Sequence, residues 1–238
     1  MQLLRAAMAD LVLGVRCAGC EAPGRVLCAH CAAELGRRPA VRSPDPSPAA
    51  LVRPTPVVPV SLTVYEGVVV PVLHAYKEES RTALAAPLGR LLAGAVGSVL
   101  DRRRTPGPVC LVPVPSRRSA VRARGFDAGA TLARAAAAAL RRRGVPARAR
   151  PVLRVGRIAD QTGLSAAERV ENLAGAYDLR RRPSVGLVVV TDDVLTTGAS
   201  AAEAVRVLTA GGRRPVAVVT VAATRRRRGH AWDESRPA

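Results

Sequence analysis

The sequence predicts an α/β fold in which helices flank a mostly parallel β-sheet, preceded by a small N-terminal zinc-ribbon module. Three observations support this prediction. Short apolar runs alternate with helical stretches from residue 57 onward. One of these runs ends in two acidic residues and a glycine-containing turn. Two CxxC pairs lie near the N-terminus, ahead of the alternating region.

The alternating region predicts four strands and four helices. The predicted strands cover residues 57–64, 109–114, 185–191 and 216–222, and the predicted helices cover residues 68–76, 82–100, 128–143 and 199–210. The run 109–114 is short, apolar and bounded by prolines, as buried parallel strands are. Glycines end two of the helices, at Gly144 and Gly211. Because strand and helix alternate, the sheet should be mostly parallel, with helices on its faces.

The composition is that of a soluble globular protein. Of the 238 residues, 48% are hydrophobic and 23% are charged, a balance that excludes a disordered chain. The length allows one α/β domain and a smaller module beside it. Aromatic residues make up only 2% of the chain, so the core must be built from valine, leucine and alanine.

The proline content divides the chain. Residues 1–36 are predicted to hold an N-terminal helix and the four-cysteine module, residues 37–56 a proline-rich linker, residues 57–228 the α/β domain and residues 229–238 a C-terminal tail. Seven prolines lie between residues 37 and 59. This density is incompatible with a helix and predicts a semi-rigid linker.

The N-terminus does not resemble an export signal. Arg5 and Asp10 interrupt its apolar run, and Arg16 directly before Cys17 is incompatible with a lipoprotein cleavage site. No segment approaches the ~18 consecutive apolar residues of a membrane-spanning helix. We therefore expect a cytoplasmic protein without a membrane span.

Four of the five cysteines form two CxxC pairs. They are Cys17, Cys20, Cys28 and Cys31. Paired CxxC elements arrange four thiolates tetrahedrally around one zinc ion, and such a site is structural because it leaves no open position. Disulfides are the alternative, which a cytoplasmic location disfavours. His30 could replace one cysteine as a ligand, and the fifth cysteine, Cys110, lies in an apolar run typical of a buried strand.

Residues 188–200, with the sequence VVVTDDVLTTGAS, combine a strand, a loop and the start of a helix. Asp192 and Asp193 stand at the end of the predicted strand, where open parallel sheets bind their ligands. Two adjacent acids suit vicinal hydroxyls, or hydroxyls that also hold Mg²⁺. The small and hydroxyl-bearing residues that follow leave backbone amides accessible at a helix N-terminus, which favours an anion. These features together indicate a phosphosugar site, and an ordinary buried strand with a polar turn is the alternative.

Two other nucleotide-binding loops are excluded. The ATP-type loop GxxxxGK[ST] needs a lysine after its glycines, and the only lysine, Lys77, lacks those glycines. No GxGxxG segment opens a helix after a strand, which argues against a dinucleotide-binding fold.

Residues 188–200 resemble the thirteen-residue signature of the type I phosphoribosyltransferases, in which four apolar residues precede two acids, two mostly apolar residues, TTG and small hydroxyl residues. Only Thr191 departs from the signature, and threonine is still compatible with a strand. The resemblance implies a type I phosphoribosyltransferase-like fold that binds 5-phosphoribosyl pyrophosphate (PRPP) with Mg²⁺. It implies that Asp192 and Asp193 are the catalytic acids that hold the ribose. It assigns PRPP binding to Val194, Leu195, Thr196, Thr197, Gly198, Ala199 and Ser200.

Four further segments resemble the competence-associated ComF family. They are the cysteine pairs, residues 65–77 (YxG…K), residues 112–126 (VPVP…RGF) and residues 161–177 (Q…LS…R…NLAGAY). The resemblance covers nearly the whole chain, except the proline-rich segment and about the last ten residues. Asp127 and Ala128 stand where this family usually has Asn-Gln, and Tyr177 replaces a phenylalanine.

In phosphoribosyltransferases, a loop after an early core strand holds the pyrophosphate and a flexible loop covers the site. By position, the resemblance assigns pyrophosphate to Ser116, Arg117 and Arg118, and guanidinium groups suit phosphate oxygens. The flexible loop corresponds to residues 154–169. The implied reaction is displacement of pyrophosphate from C1 of the ribose by a nitrogen nucleophile or water. The sequence identifies neither a general base nor the acceptor.

The net charge of +19 allows two interpretations. Arginine runs occur at residues 102–104, 141–143, 180–182 and 225–228. Such runs are consistent with solvated helix ends and loops. They are equally suited to attract a phosphate polymer such as single-stranded DNA. Because the chain has only one Trp, three Tyr and one Phe, contacts to DNA would reach the backbone rather than stack on the bases.

Three functions follow as hypotheses. The first is a ComF-type phosphoribosyltransferase of unknown acceptor, which the resemblance links to DNA uptake, single-stranded DNA processing and a DNA-uptake helicase partner. The second keeps the fold without turnover, as a ligand sensor or a DNA- or protein-binding module. The third is a nucleobase-salvage phosphoribosyltransferase with a zinc appendage. The oligomeric state is left open.

Overall fold

A six-stranded β-sheet forms the centre of the molecule. The structure is a computed structural model and describes residues 14–36, 39–103, 107–156, 175–183 and 186–225. The strands are β1 (Ala40–Val41), β2 (Val58–Val64), β3 (Val109–Pro113), β4 (Ala147–Ala149), β5 (Leu153–Val155), β6 (Tyr177–Leu179), β7 (Leu187–Leu195) and β8 (Ala217–Ala223). The main sheet has the order β1-β2-β8-β7-β3-β4, and β5 and β6 form a separate antiparallel pair.

The main sheet is mostly parallel, as predicted. Strand β1 runs antiparallel to β2 at one edge. The pairs β2–β8, β8–β7, β7–β3 and β3–β4 are all parallel. Parallel strands end at the same edge of a sheet, so the loops after β3, β7 and β8 lie side by side.

Helices cover both faces of this sheet. They are α1 (Ala29–Leu35), α2 (Ala49–Val52), α3 (Val69–Lys77), α4 (Ala85–Arg103), α5 (Arg118–Arg124), α6 (Ala128–Arg142) and α7 (Ala199–Ala210), with a 3₁₀ turn at Thr82–Leu84 ahead of α4. Helices α3, α4 and α6 belong to the apolar cluster on one face, and α7 packs with α2 on the other. This arrangement confirms the α/β class with a mostly parallel sheet flanked by helices.

Strand β7 shows how the two faces are built. Val189 belongs to the cluster under α4 and α6, whereas Val188 and Val190 belong to the cluster under α7. Successive side chains of a strand point to opposite faces, so a strand covered on both sides is apolar throughout. This burial explains the continuous valine run before the acid pair.

The predicted elements agree with the described ones to within a few residues, with two kinds of exception. Strand β7 continues through the acid pair to Leu195, because β8 runs beside it as far as Ala223. The predicted strand covered residues 185–191. Its predicted end was therefore four residues too early, and its predicted first residue, 185, lies outside the described residues. Helices α1 and α5, strand β4 and the β5–β6 pair were missed, because elements of three to seven residues carry too little periodicity.

The proline-rich segment carries regular structure. Strand β1 extends the sheet, and α2 forms one helical turn that packs against α7. Composition predicted no helix here, but Pro48 lies directly before the turn, where the missing amide of proline is not needed. The domain boundaries stay a prediction. The predicted N-terminal helix and the predicted tail 229–238 lie outside the described residues.

Helix α4 is packed closely into the core. Thr82–Arg103, which includes α4 and the 3₁₀ turn, is the one described segment long and apolar enough to cross a membrane by length and composition. Half of its most apolar window is buried inside the molecule. A Cβ atom at Gly89 would lie 2.5 Å from the Cβ atom of Ala135 on α6, so glycine is needed for the two helices to approach. Such packing is typical of the core helix of a soluble protein.

Candidate functional site

The predicted site residues meet at the carboxyl edge of the sheet. Thr191 of β7 pairs with Pro113, the last residue of β3, and Val114 N donates to Thr191 O at 2.9 Å. Strand β7 continues beyond this point, so Asp192 and Asp193 extend past the end of β3. The acid pair therefore lies between the loop after β3 and the loop after β8.

The carboxylate of Asp193 is paired with a lysine that the sequence did not assign to the site. Lys77 Nζ lies 2.7 Å from Asp193 Oδ2, and the two side chains are 32% and 14% exposed. Lys77 is the last residue of α3, where the helix dipole favours a cation. It is also the only lysine of the chain. The YxG…K pattern marked this residue, but nothing local indicated its partner.

Burial and neighbouring charges shift the pKa values of Asp192 and Lys77. Burial raises the pKa of the Asp192 carboxyl well above its ordinary value, and the neighbouring Asp193 carboxylate adds to the effect. Burial alone would lower the pKa of Lys77, but Asp193 more than offsets it, so the pKa of Lys77 lies above its ordinary value. Lys77 is therefore charged, and a further cation beside Asp192 would favour the ionised carboxylate.

The loop after β7 leads into α7 with open backbone amides. Gly198 is the N-cap residue of α7, and its φ of 77° lies in the left-handed region that favours glycine. Because glycine has no capping side chain, the amides of the first helical turn stay available to an anion, apart from that of Ala199, which donates to Thr197 Oγ1 at 3.4 Å. Thr196 and Thr197 are exposed and add two hydroxyl groups beside these amides. This arrangement is chemically suited to a phosphate.

The proline-rich segment packs against this loop. A Cβ atom at Gly198 would lie 2.7 Å from Pro44 Cγ, so this contact also requires glycine. The guanidinium group of Arg214 holds the segment in place by donating to the carbonyl oxygens of Ala50 and Arg53, at 3.3 and 2.7 Å. Residues that composition marked as a linker thus form a wall of the candidate site.

A cavity of about 210 Å³ lies between the proline-rich segment and the ends of β7 and β8. Arg42, Asp45, Thr196 and Arg225 are among the residues that line it. The buried Nε atom of Arg42 has no hydrogen-bond partner among the described residues. Buried donors are normally paired, so the guanidinium group of Arg42 brings an unsatisfied donor to the wall of this cavity. The sequence prediction missed Arg42, because no local pattern marks it.

Ser116, Arg117 and Arg118 follow β3 on the other side of β7. Ser116 Oγ donates to Asp127 Oδ1 at 3.2 Å, and the same oxygen accepts the amide of Ala130 at 3.0 Å. Asp127, which departs from the ComF pattern, is therefore the cap of α6. Arg117 and Arg118 are both exposed, so the loop presents two guanidinium groups at the same edge as the acid pair.

The four cysteines lie together, as predicted. Their Sγ atoms are within 4.8 Å of one another, and those of Cys20 and Cys28 are 3.6 Å apart. In a tetrahedral site with Zn–S bonds of about 2.3 Å, the sulfur atoms are about 3.8 Å apart. None of the described cysteines forms a disulfide, and the exposed His30 contacts Glu34 instead of joining the group. The cluster could therefore hold a structural zinc ion.

Backbone amides support the thiols of the cluster. The amides of Gly19 and Cys28 donate to Cys17 Sγ at 3.4 and 3.3 Å, and that of Cys31 donates to Cys28 Sγ at 3.4 Å. Burial alone would raise the pKa of Cys17, but the backbone donors more than offset it and lower the pKa to about 6. Burial and the neighbouring thiols raise the pKa of Cys31. A metal ion would displace the remaining protons.

The cysteine cluster packs onto the main core. Cys17, Cys31 and Leu35 are fully buried in the same apolar cluster as Tyr76. A Cβ atom at Gly19 would lie 2.8 Å from Cys31 Sγ, so glycine is needed for the second CxxC pair to approach the first. The state of the cluster therefore affects the stability of the core behind it.

Several predicted features lie outside the described residues. The expected flexible loop, residues 154–169, is described only as far as residue 156. Gln161, Arg169 and Asn172 of the ComF-like segment also lie outside. Their roles stay predictions.

Comparison with known proteins identifies relatives over much of the chain. No protein-family model matches it. The DNA utilization protein YhgH of Salmonella typhi is 36% identical over 151 residues, which cover 61% of this chain and 63% of that protein. The DNA utilization protein YhgH of Escherichia coli (strain K12) is 30% identical over 206 residues, or 85% of this chain and 86% of that protein. The match thus spans less than two thirds of the Salmonella relative but most of the Escherichia coli one. Because the second match covers most of both proteins, the chain belongs to the family of the DNA utilization protein YhgH.

Proposed function

We propose that this protein is a phosphoribosyltransferase-like protein of the ComF type that binds PRPP with Mg²⁺. The observation that carries the proposal is the carboxyl end of β7, where Asp192 and Asp193 stand a few residues before the open N-terminus of α7. Carboxylates and free helix amides so close together match a sugar with vicinal hydroxyls and a phosphate. The central position of β7 in a parallel sheet supports the type I fold as part of the same proposal.

Each part of PRPP has a partner in this proposal. Asp192 and Asp193 accept hydrogen bonds from the ribose hydroxyls, and the amides between Thr196 and Ser200 bind the 5′-phosphate. The two arginines after β3 bind the pyrophosphate, whose oxygens suit guanidinium groups. Mg²⁺ would be held largely by oxygens of PRPP itself and would keep several waters.

The loops on the two sides of β7 suit the two phosphate-bearing ends of PRPP. The arginines follow β3 on one side of β7, and the cavity lined by Arg42, Thr196 and Thr197 lies on the β8 side. We therefore assign the leaving pyrophosphate to the β3 side, where preplaced positive charge stabilises it, and the 5′-phosphate to the β8 side.

Lys77 acts in this proposal as the counter-ion of Asp193. Its ammonium group, 2.7 Å from the carboxylate, allows two adjacent acids to occupy a largely buried edge without a ligand. Because the pKa of Lys77 is raised, the side chain is protonated and does not serve as a general base. Its role is to orient one of the two ribose-binding carboxylates.

The cysteine cluster completes the proposal as a structural zinc site. Four sulfur donors with tetrahedral spacing and supporting amides fit zinc and leave no position for a substrate. The ion would supply the charge that four crowded thiols need in order to ionise together.

The name of the relatives supports a role in DNA metabolism. We propose that the protein acts in DNA uptake or in the processing of single strands, with a DNA-uptake helicase as a candidate partner. The net charge of +19 supports contact with a nucleic-acid backbone.

A second candidate is a non-catalytic PRPP sensor on the same fold. It is favoured by one observation: among the described residues that line the two cavities beside the acid pair, none is a histidine, the commonest general base. A sensor would bind PRPP without releasing pyrophosphate.

Calorimetry with PRPP and Mg²⁺ tests the binding site. The wild-type chain should bind, and the double variant Asp192→Asn, Asp193→Asn should bind at least about tenfold more weakly, because it loses two charged acceptors for the ribose hydroxyls. Asp101→Asn, an exposed acid at the end of α4, is the matched control and should bind as the wild type does. If the double variant binds PRPP as tightly as the wild type, the proposal is wrong.

Pyrophosphate release separates the enzyme from the sensor. The bound protein is incubated with a panel of nitrogenous acceptors, and released pyrophosphate is measured. Release with one acceptor, and its loss in the double variant, supports the transferase. Binding without release across the panel supports the sensor.

A further inference from the structure

We propose that an arginine-lined groove beside the loop after β3 binds the phosphodiester backbone of a single nucleic-acid strand, and that a strand bound there competes with the pyrophosphate end of PRPP. The competition rests on the PRPP binding proposed above. The strand site deepens the proposed role in single-strand processing and does not depend on PRPP binding.

The groove has a volume of about 450 Å³ and lies between the loop after β3, helices α5 and α6, and the β5–β6 pair. Five arginines line it, namely Arg118, Arg122, Arg134, Arg154 and Arg180. Two of them come from α5, one from α6, one from β5 and one from the residue after β6, and all five are exposed. Positive charge from distant parts of the sequence therefore converges on one surface.

Little negative charge opposes these arginines. Asp127, the one acid among the described lining residues, already accepts the hydroxyl of Ser116 and the amide of Ala130. Arg154 pairs with Asp178 at 3.3 Å, outside the groove lining. No ion pair within the described part of the chain involves the other four arginines. Among the described residues that line it, the groove thus keeps an excess of positive charge.

This chemistry is that of a phosphodiester site without base recognition. Exposed guanidinium groups attract phosphates, and the release of counterions strengthens the binding. No aromatic side chain is among the described lining residues, so bases have no surface on which to stack. Binding should therefore depend on the backbone and on salt, and only weakly on base sequence. A single strand is flexible enough to follow arginines contributed by separate elements.

The groove overlaps the proposed pyrophosphate site. Ser116 and Arg118 line the groove and also belong to the loop assigned to pyrophosphate. A strand phosphate beside Arg118 would occupy the space that the leaving group of PRPP needs. Because coupling between two ligands is reciprocal, the strand should weaken PRPP binding by the same factor as PRPP weakens strand binding.

Fluorescence anisotropy of the full chain with a labelled oligothymidylate tests the strand site. The double variant Arg134→Gln, Arg180→Gln removes two groove charges that lie away from the pyrophosphate loop, and it should bind the oligonucleotide about tenfold more weakly. The slope of log K against log salt should become less steep by about 1.4, because each lost contact to a single strand contributes about 0.7. The matched control Arg102→Gln, Arg103→Gln removes the same charge from the exposed end of α4 and should change the affinity less than about twofold.

Three results would overturn the strand site. The first is a groove variant that binds the oligonucleotide as tightly as the wild type. The second is an equal loss of affinity in the groove variant and the α4 variant, since only net charge would then matter. The third is a groove variant that loses PRPP affinity and keeps oligonucleotide affinity, since its arginines would then serve pyrophosphate alone.

The competition has its own readout. PRPP with Mg²⁺, added to the preformed complex, should displace the oligonucleotide from the wild type. The double variant Asp192→Asn, Asp193→Asn loses two negative charges, so it should bind the oligonucleotide at least as tightly as the wild type does and should resist displacement. If calorimetry shows bound PRPP while the oligonucleotide stays bound, competition is excluded. If the wild type binds no PRPP at all, the proposed function fails, and the anisotropy result still decides the strand site.

Discussion

The cysteine cluster and the acid pair each bring acidic groups close together, but the two regions differ in the positive charge that lies beside those groups. The four thiols lie within 4.8 Å of one another and are supported by backbone amides. Asp193 instead has a resident cation, since Lys77 lies 2.7 Å away. As a proposed zinc site, the first region would take a positive ion from outside, whereas the second already holds one.

This difference separates the proposed structural site from the proposed ligand site. Cys17 and Cys31 are fully buried in the main core, so the loss of an ion held there would remove the link between the two CxxC pairs at that core. The acid pair stands at the edge of the sheet, and Lys77 stabilises it without a ligand. In the proposed zinc site the cation comes from outside, whereas at the acid pair it belongs to the chain itself.

The largest effect should come from the cysteine cluster. Cys31→Ser removes one of four sulfur donors and should abolish the bound zinc. Because metal binding to such sites is coupled to folding, the free energy of unfolding should fall by about 3 kcal/mol or more, which corresponds to about 6–12 °C in Tm. Metal analysis and calorimetric melting measure the two changes.

Cys110→Ala is the matched control for this variant. Cys110 is the fifth cysteine and is buried in β3, away from the cluster. The Cys110→Ala protein should bind one full equivalent of zinc, even if removal of the buried side chain lowers its Tm. Equal zinc content in Cys31→Ser and Cys110→Ala would show that the cluster is not the metal site.

The second effect tests the resident cation of the acid pair. Lys77→Met keeps the length of the side chain but leaves Asp193 without its partner, and the free energy of unfolding should fall by about 1–3 kcal/mol. Lys77→Arg should restore most of it, because a guanidinium group can also pair with the carboxylate. Chemical denaturation of the three proteins measures the differences.

His74→Ala is the control on the same helix. His74 lies one turn before Lys77, with a 61% exposed side chain, and its removal should change stability by less than about 0.5 kcal/mol. The single lysine also allows a direct probe, since reductive methylation with a ¹³C label gives one lysine resonance besides the N-terminus. This resonance should shift when PRPP and Mg²⁺ are added. If Lys77→Met is as stable as the wild type, the resident cation has no structural role.

The parts of the molecule that could be predicted are those in which neighbouring residues determine the geometry. The strand, acid pair and glycine turn of residues 188–200 follow one another directly, so strand and helix geometry place them without knowledge of the rest. The cysteine pairs are local for the same reason. The alternation of strand and helix likewise predicted the parallel sheet.

The missing parts depend on contacts between distant segments. Lys77 reaches Asp193 only because α3 packs beside the end of β7, and Arg42 reaches the site only because β1 pairs with β2. Because of its high proline content, the segment that contains this edge strand was predicted to be a linker. The groove arginines are likewise brought together by three separate elements and the end of a fourth, whereas the arginine runs visible in the sequence had suggested charge spread along the chain.

The smallest effect should come from Asp127, an acid that is stabilised in a third way. Its carboxylate has neither a metal nor a lysine and accepts the amide of Ala130 at the start of α6. Asparagine caps helices about as well as aspartate, so Asp127→Asn should lose only the interaction of its charge with the helix dipole, about 0.3–1 kcal/mol. Asp127→Ala should lose the cap as well, about 1 kcal/mol more. Chemical denaturation measures the free energy of unfolding of both variants. If Asp127→Asn loses as much stability as Lys77→Met does, the charge of Asp127, and not its hydrogen bonds, holds the loop after β3.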